Sequence, residues 1–369
     1  MVFLIYFLAL SACTTPAPPL GARLSAVEAL QAAPGEGFAR ALMPRAFTFP
    51  ADHGPHPDYQ IEWWYYTGNL ATQDGRHFGF QLTFFRTALT PHPTARASLW
   101  GANTIYMAHF ALSDVANTTF AAYERFSRDG AGLAGAQSAP FRVALDNWVA
   151  EGSGPADMTM HLHALEGSLA LDLTLDSLKP PVLQGDRGLS QKGPTPGNAS
   201  YYYSLTRMAT NGTIQIQDQR FTVTGLSWMD HEWSTSALEA GAVGWDWFSI
   251  QLADGRDLMY AQVRNPSGAS YGLGTLVALD GTTRTLAANA VTLEVLDTWQ
   301  SPQSQTHYPA RWRLTIPSEE LTLELIPVMA NQELPVAVVY WEGAVRLTGT
   351  ARGAPIVGNG YVELTGYAK

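Results

Sequence analysis

The part of the chain with the greatest potential for chemistry runs from residue 225 to residue 248 and reads GLSWMDHEWSTSALEAGAVGWDWF. It holds four of the 11 tryptophans, and His231 stands between two acids, Asp230 and Glu232. Residues 58–66 (DYQIEWWYY) add two more tryptophans. A carboxyl group enclosed by aromatic rings keeps its proton because desolvation raises its pKa, and aromatic faces stabilise a nearby cation. The pattern therefore indicates a proton donor beside an apolar ligand.

The same residues also admit purely structural roles. Asp230 can form an ion pair with Arg207 or Arg220, and His231 can be an ordinary buried histidine. The tryptophans can simply fill the interior of a β-barrel, where large rings supply much of the buried surface. Two further acids beside tryptophans, Glu62 and Asp246, are expected to hold Arg86 or Arg264 in internal ion pairs.

Other classes of site are poorly supported by the sequence. The pairs His53/His56 and His161/His163 have no third and fourth ligand nearby, so we expect no metal and no cofactor. The patterns Gly-x-Gly-x-x-Gly (130–135) and Gly-x-Ser-x-Gly (268–272) each occur once, but neither precedes a predicted helix, as a phosphate loop or a nucleophile turn requires. A net charge of −10 with few lysines argues against nucleic-acid binding. The single cysteine excludes internal disulfides.

The elements that must position these residues are β-strands. From about residue 48, runs of four to ten residues alternate apolar and polar side chains between Gly, Asp and Asn clusters. The Asp-Gly turns at 74–75 and 254–255 join hairpins that both open on aromatic residues and close on arginine, which favours an internal duplication. We therefore predict an all-β protein of two barrel or sandwich domains, 45–233 and 234–369. The long loop at 179–198 either covers a pocket or is mobile.

The first 44 residues have a different character. Val2–Leu10 is an unbroken apolar run, too short to span a bilayer but typical of the core of a secretory signal. The residues LSAC, ending at Cys13, resemble a bacterial lipobox, which predicts a lipoprotein signal peptide over 1–12 and lipid attachment to Cys13. Residues 13–44 would then be a tether with one short helix at Arg23–Gln31. The alternative is a short buried N-terminal strand with a free thiol.

The expected location follows from the lipobox. A lipid-anchored chain with threonine after the cysteine is expected in the bacterial cell envelope, at the outer membrane and facing the periplasm. The membrane would then be a partner through the N-terminal lipid anchor.

Several motifs, taken in order, resemble those of one known family. They are DYQIEWWYYTGNL with DGRHFGFQLTFFR, then GLSWMDHEWSTS, then GWDWFSIQLADGRDLMY, and finally YWEGAVRLTG with GYVELTGY. Over residues 45–369 the chain resembles the hydroxyneurosporene synthase (carotenoid 1,2-hydratase) and AttH-like family. The resemblance implies two packed lipocalin-like β domains with an apolar cavity between or within them.

The resemblance also implies a function. The characterised hydratases add water to the end of an acyclic carotene, and the aspartate of their Tyr-x-Asp-His motif is the proposed acid. The matching residues are Trp228, Asp230 and His231, so tryptophan replaces the tyrosine here. Asp230 would be the general acid, and its conjugate base or His231 would accept the proton of the attacking water. The residues expected to contact a carotenoid, terpenoid or lipid are Trp63, Trp64, Tyr203, Trp228, Trp233, Trp245 and Trp247.

A second function remains open at this stage. The outer membrane is an unusual place for carotene synthesis, whose other enzymes work where their substrates partition. A non-enzymatic, membrane-tethered lipocalin-like lipid carrier, working beside an ABC transporter, fits that location equally well.

Overall fold

The computed structural model describes residues 35–368, except 94–97, 99, 237, 239–240 and 267–269. The expected signal peptide, Cys13 and the helix Arg23–Gln31 therefore lie outside the described residues. The described helices are five 3₁₀ turns of three residues each: Ala51–His53, Gly130–Gly132, Pro155–Asp157, Ala288–Ala290 and Pro317–Glu319. None of them has the length and apolar character needed to cross a membrane.

The described strands form two antiparallel sheets. The first sheet contains β1 (Ile61–Ala71), β2 (His77–Ala88), β3 (Thr104–Asp114), β4 (Thr119–Arg128), β5 (Ala134–Ser138), β6 (Phe141–Leu145), β7 (Trp148–Ser153), β8 (Thr159–Glu166), β9 (Leu169–Ser177), β10 (Val182–Leu183), β11 (Leu189–Gln191), β12 (Ala199–Ile216) and β13 (Gln219–Ser236). The second contains β14 (Gly244–Leu252), β15 (Asp257–Arg264), β16 (Ser270–Val277), β17 (Thr283–Ala287), β18 (Thr292–Gln300), β19 (His307–Ile316), β20 (Leu321–Pro327), β21 (Glu333–Leu334), β22 (Tyr340–Ala351) and β23 (Ala354–Thr365). The prediction of an all-β, lipocalin-like fold is confirmed, because both sheets curl around apolar interiors.

Two details differ from the expected strands. The sequence of residues 141–149 predicts one strand, but the structure forms the hairpin of β6 and β7 there, because Asp146 takes a positive φ of 52° that turns the chain. The loop 179–198 contains β10 and β11, which both pair with β12. It therefore adds two short strands along the wall of the first sheet.

The two sheets share one order of neighbours. The first runs β4-β3-β2-β1-β13-β12-β9-β8-β7 and then β6-β5, and the second runs β17-β16-β15-β14-β23-β22-β20-β19-β18. The hairpin β14–β15 thus occupies the place that β1–β2 occupies in the first sheet, and β23 occupies the place of β13. This recurrence matches the internal duplication inferred from the repeated motifs. The first sheet ends at Ser236 and the second begins at Gly244.

Three apolar clusters hold the sheets in place. One fills the first sheet, one fills the second, and a third lies between them around Trp228, Trp247 and Tyr361. Burying one large side chain contributes about 1.5–3 kcal/mol, so these clusters supply most of the driving force for folding.

Buried polar contacts fix one sheet against the other. Asp257 on β15 accepts hydrogen bonds from Lys179 Nζ (2.7 Å) and from Arg207 Nε and Nη2 (3.0 and 2.7 Å). The carboxylate and the lysine are both almost fully buried. The Gln251 side chain of β14 donates to the backbone carbonyls of Thr206 and Ser227 in the first sheet. These bonds define the separation and orientation of the facing strands.

We predict that Asp257→Asn lowers the free energy of unfolding by about 3–5 kcal/mol, because it leaves two buried cations without their carboxylate. Urea unfolding monitored by tryptophan fluorescence would measure the loss. Asp254→Asn is the matched control, since Asp254 pairs with Arg256 at an exposed turn, where a pair contributes about 0–1 kcal/mol. Equal losses in the two variants would show that the Asp257 cluster does not hold the sheets together.

Candidate functional site

A cavity of about 230 Å³ lies between the two sheets. Its wall combines β1, β2, β3, β11, β12 and β13 of the first sheet with β14, β15, β16, β22 and β23 of the second. Aromatic rings, thioethers and aliphatic side chains form most of this wall. Five acidic residues also line the cavity: Glu62, Asp230, Glu232, Glu342 and Glu363.

The alternation of side chains along β13 decides which residues reach this cavity. Successive residues of a strand point to opposite faces of the sheet. Asp230 and Glu232 line the cavity, whereas Met229 and Trp233 belong to the interior of the first sheet. His231 shares that interior face and is fully buried. Asp230 and His231, although adjacent in sequence, therefore do not meet in one site.

Asp230 is held by three hydrogen-bond donors. Ser204 Oγ donates to Oδ1 at 2.5 Å and Trp228 Nε1 donates to the same oxygen at 2.7 Å, while Tyr202 Oη donates to Oδ2 at 2.7 Å. Trp247 Nε1 in turn donates to Tyr202 Oη at 3.1 Å. These contacts fix the carboxyl group in one orientation at the cavity wall.

The surroundings raise the pKa of Asp230 to about 7. Burial is the largest cause, because it penalises the charged form, and the nearby carboxyl of Glu232 raises the pKa further. The three hydrogen bonds lower it, since all of them favour the ionised carboxylate. Asp230 can therefore be protonated near neutral pH. The three hydrogen bonds stabilise the carboxylate that remains after it gives up the proton.

A second acid occupies the corresponding place in the repeat. Asp230 lies opposite Tyr65 of β1, and Glu363 lies opposite Trp247 of β14. Glu363 accepts hydrogen bonds from Trp245 Nε1 (2.9 Å) and from the hydroxyl of Thr365 (3.0 Å), and burial raises its pKa to about 7. The cavity thus has a protonatable carboxyl at the equivalent position of each repeat.

The predicted substrate-contacting residues fall into three groups. Trp63, Trp245 and Trp247 line the cavity. Trp228 lies one layer behind, where it packs against Trp247 with ring centroids 6.2 Å apart and binds Asp230. The other three, Trp64, Tyr203 and Trp233, lie inside the first sheet and do not line the cavity.

Sequence reasoning missed several cavity residues. Tyr202 lines the cavity, whereas its neighbour Tyr203 points the other way and contacts His53 Nδ1 at 2.6 Å. Asp230 lies opposite Ser204 of β12, and alternate residues of a strand share a face. Tyr202, two residues from Ser204, is therefore expected on the same face as Asp230. Lys192, which forms a 2.7 Å ion pair with Glu232, comes from the loop 179–198 and gave no signal of its own.

His231 belongs to a buried network on the opposite face of β13. Its Nε2 lies 2.9 Å from Glu62 Oε1, and its Nδ1 donates to the backbone carbonyl of Asp52 at 3.0 Å. His56 lies between Glu62 and Asp52, at 2.7 and 3.0 Å. Its two carboxylate neighbours raise the pKa of His56 despite its burial. Arg86 completes the network with a 3.2 Å contact to Glu62.

The ligand atoms of His56, Glu62 and His231 lie within 4.8 Å of one another, as the donors of a metal site would. The structure also gives each of them other partners, since Arg86 pairs with Glu62 and Asp52 binds His56. The contacts therefore account for the cluster as an ion-pair network, and the expectation of no metal stays a prediction.

The expected internal ion pairs are confirmed, since Glu62 pairs with Arg86 at 3.2 Å and Asp246 pairs with Arg264 at 3.0 Å. The alternative role of Asp230 as an ion-pair partner is wrong. Arg207 is bound to Asp257 instead, and Arg220 donates to the hydroxyl of Thr213. Asp230 is left with neutral donors only, which is why burial dominates its pKa.

Known proteins resemble this chain in sequence and in fold. The sequence profile described as AttH-like matches residues 40–367. The crystal structure of a candidate AttH from Nitrosomonas europaea is 36% identical, with a TM-score of 0.80 over 90% of this chain and all of that one. The structure of kievitone hydratase from Nectria haematococca, 15% identical, shares the fold with a TM-score of 0.68 over 89% of this chain and 96% of that one.

One curated relative is an enzyme. The kievitone hydratase of Fusarium solani subsp. phaseoli is 23% identical over 224 residues, which is 55% of this chain. The chain spans 58% of the length of that relative. The profile match covers nearly the whole described chain, and the Nitrosomonas relative covers nine-tenths of it. The chain therefore belongs to the AttH-like family.

Proposed function

We propose that this protein is a hydratase of the carotenoid 1,2-hydratase type, which adds water to a terminal double bond of an acyclic isoprenoid. The observation that carries the proposal is the Asp230 carboxyl group, which lines a ring-rich cavity and has a pKa raised to about 7. The existence of a hydratase among the relatives supports the reaction class. The carotenoid substrate rests on the motif resemblance alone.

The chemistry requires a carboxyl group that carries its proton at the pH of the reaction and surroundings that stabilise a cation. The protonated carboxyl of Asp230 gives its proton to the terminal alkene carbon, and the neighbouring carbon becomes a tertiary carbocation. The faces of Trp63, Trp245 and Trp247 offer π-electron density to that cation. A water molecule attacks the cation, and the Asp230 carboxylate takes back the proton that this water releases. Atoms and charges balance, and Asp230 ends protonated as it began.

The geometry supports Asp230 itself, rather than His231, as the group that takes back the proton. His231, the other expected acceptor, lies on the far face of β13 and contacts Glu62. The three donors to Asp230 stabilise its carboxylate during the step in which the carbocation exists. Carboxylate and cation then form a transient ion pair at the cavity wall.

The competing hypothesis is that the protein is a lipid carrier, and one assay separates the two functions. Purified, delipidated protein would be incubated with lycopene or neurosporene, and 1-hydroxy products would be sought by chromatography with mass detection. Hydroxylated product supports the hydratase. Absence of product from every acyclic terpene, together with tight binding of the same compounds, would favour the carrier.

We also propose, from the sequence, that Cys13 is lipidated and anchors the chain at the outer membrane, facing the periplasm. An anchored protein would meet ligands that partition into the membrane. That location suits either function, including work beside a transporter.

The first prediction concerns Asp230 as the acid. Because the donor must be protonated, we expect the rate to fall about tenfold per pH unit above pH 7, as Asp230 ionises, and to level off below it. Asp230→Asn should abolish hydration, whereas Glu363→Gln, the acid in the repeated position, should keep activity within a few-fold. Undiminished product from the Asn variant would remove Asp230 as the acid.

The second prediction concerns the hydrogen bond from Tyr202. Tyr202→Phe removes a donor that favours the Asp230 carboxylate, so the pKa of Asp230 should rise and the falling limb of the rate profile should move to higher pH. Carboxyl ¹³C NMR titration checks the shift without turnover. Tyr203→Phe is the matched control, because its hydroxyl contacts His53 on the opposite face. The same shift in both variants would contradict the assignment.

The third prediction concerns the anchor. Expression in a bacterium that processes lipoproteins, with an alkyne-labelled fatty acid in the medium, should label the wild-type chain and leave Cys13→Ala unlabelled. The variant should also leave the membrane fraction. Label that persists in Cys13→Ala would show that this cysteine is not the acceptor.

A further inference from the structure

The cavity contains polar groups that the hydration mechanism does not use. Neither carboxyl oxygen of Glu342 makes a hydrogen bond of good geometry to a described residue, although the phenols of Tyr65 and Tyr340 lie near enough to favour its charged form. The hydroxyl of Tyr65 also makes no hydrogen bond of good geometry among the described residues. Glu342 is 1% exposed and Tyr65 is 5% exposed. Leaving buried polar groups unpaired costs free energy, so native structures rarely retain them without a ligand or a function.

These groups lie next to the acid that the proposed mechanism uses. Glu342 and Tyr65 both line the cavity. Tyr65 of β1 pairs in register with Asp230, and Glu342 of β22 pairs in register with Glu363. Tyr65 and Glu342 are also close enough to interact electrostatically, so together they form a polar patch on the cavity wall, beside the aromatic surface that would receive an apolar chain.

The charges around the cavity restrict what this patch can bind. Five acidic residues line the cavity, and the lysine and arginine among its described lining residues are already engaged: Lys192 with Glu232 at 2.7 Å, and Arg86 with Glu62 at 3.2 Å. His109 contacts Tyr340 Oη and Glu124 at 2.7 and 3.1 Å. A carboxylate or phosphate would thus find no cation to pair with among these lining residues, so an anionic ligand is disfavoured.

We propose that the ligand of this cavity carries a neutral hydroxyl group, which binds to Glu342 and Tyr65, while its hydrocarbon chain lies against the tryptophans. The ligand class is thus an isoprenoid alcohol or a similar hydroxyl-bearing lipid rather than a pure hydrocarbon. The inference rests on the proposed function in taking this cavity as the substrate site. It narrows the substrate from any acyclic isoprenoid to one with a polar group.

The protonation state of Glu342 agrees with a neutral partner. Burial and the neighbouring carboxyl of Glu363 raise the pKa of Glu342 well above its usual range. The protonated carboxyl can then donate one hydrogen bond and accept another, and the phenol of Tyr65 can do the same. A hydroxyl group, itself a donor and an acceptor, complements both.

The test compares four compounds that share one chain: farnesene, farnesol, farnesoic acid and farnesylamine. Binding to the delipidated protein is measured by quenching of tryptophan fluorescence, because three tryptophans line the cavity. Farnesol should bind about tenfold more tightly than farnesene, which corresponds to one or two net hydrogen bonds. Farnesoic acid at pH 8 should bind more weakly than farnesol.

Two variants test the patch itself. Glu342→Leu should abolish the preference for farnesol, and Glu342→Gln, which keeps donor and acceptor, should retain it. Circular dichroism and thermal unfolding show whether each variant folds. If the leucine variant does not fold, the affinities of the wild type and of the glutamine variant for the four compounds still test the proposal.

Three results would overturn the inference: equal affinity of the wild type for farnesene and farnesol, tighter binding of farnesylamine than of farnesol, or a farnesol preference that survives Glu342→Leu. Binding needs no turnover, so these results are separate from the fate of the hydratase proposal. A protein that prefers farnesol but hydrates nothing contradicts only the proposed function.

Discussion

The alternation of side chains along a single strand, β13, is the constraint on which the site depends. Residues at even positions there face the second sheet, and those at odd positions face the interior of the first. Asp230 is thereby enclosed between two sheets, while His231 joins an ion-pair network with Glu62 and Arg86. A shift of one residue in the pairing of β13 with β1 would exchange the two faces and bury the wrong groups.

The repeated architecture explains why the cavity is both apolar and rich in acids. Each sheet presents the same pair of strands to its partner, so each contributes tryptophans and a carboxyl at equivalent positions, with Asp230 in one and Glu363 in the other. Ionising all of these neighbouring acids costs free energy, because burial and mutual repulsion both oppose the charge. The duplication therefore produces protonated carboxyls near neutral pH without any special local motif.

Apolar contacts and polar contacts both stabilise the packing of the two sheets, in different ways. Apolar rings supply the area that drives the sheets together, whereas the ion cluster at Asp257 and the amide of Gln251 fix how they meet. Buried charges of this type are costly to desolvate and costly to break, so they favour one geometry over near alternatives. The cavity between the sheets keeps its shape because that geometry is fixed.

The sequence by itself determined the class of fold, the two Asp-Gly hairpins, the repeat and the segment that contains Asp230. Those features depend on local alternation, turn chemistry and order along the chain, all of which can be read from neighbouring residues. Only the tertiary structure decided that Tyr202 rather than Tyr203 meets Asp230, and that Glu342 lies near Tyr65. Strand register sets the first contact, which joins residues 28 positions apart, and the docking of one sheet on the other sets the second, which joins residues of different sheets. The pKa of Asp230 belongs to the same category, since enclosure by both sheets raises it and no neighbour in sequence does so alone.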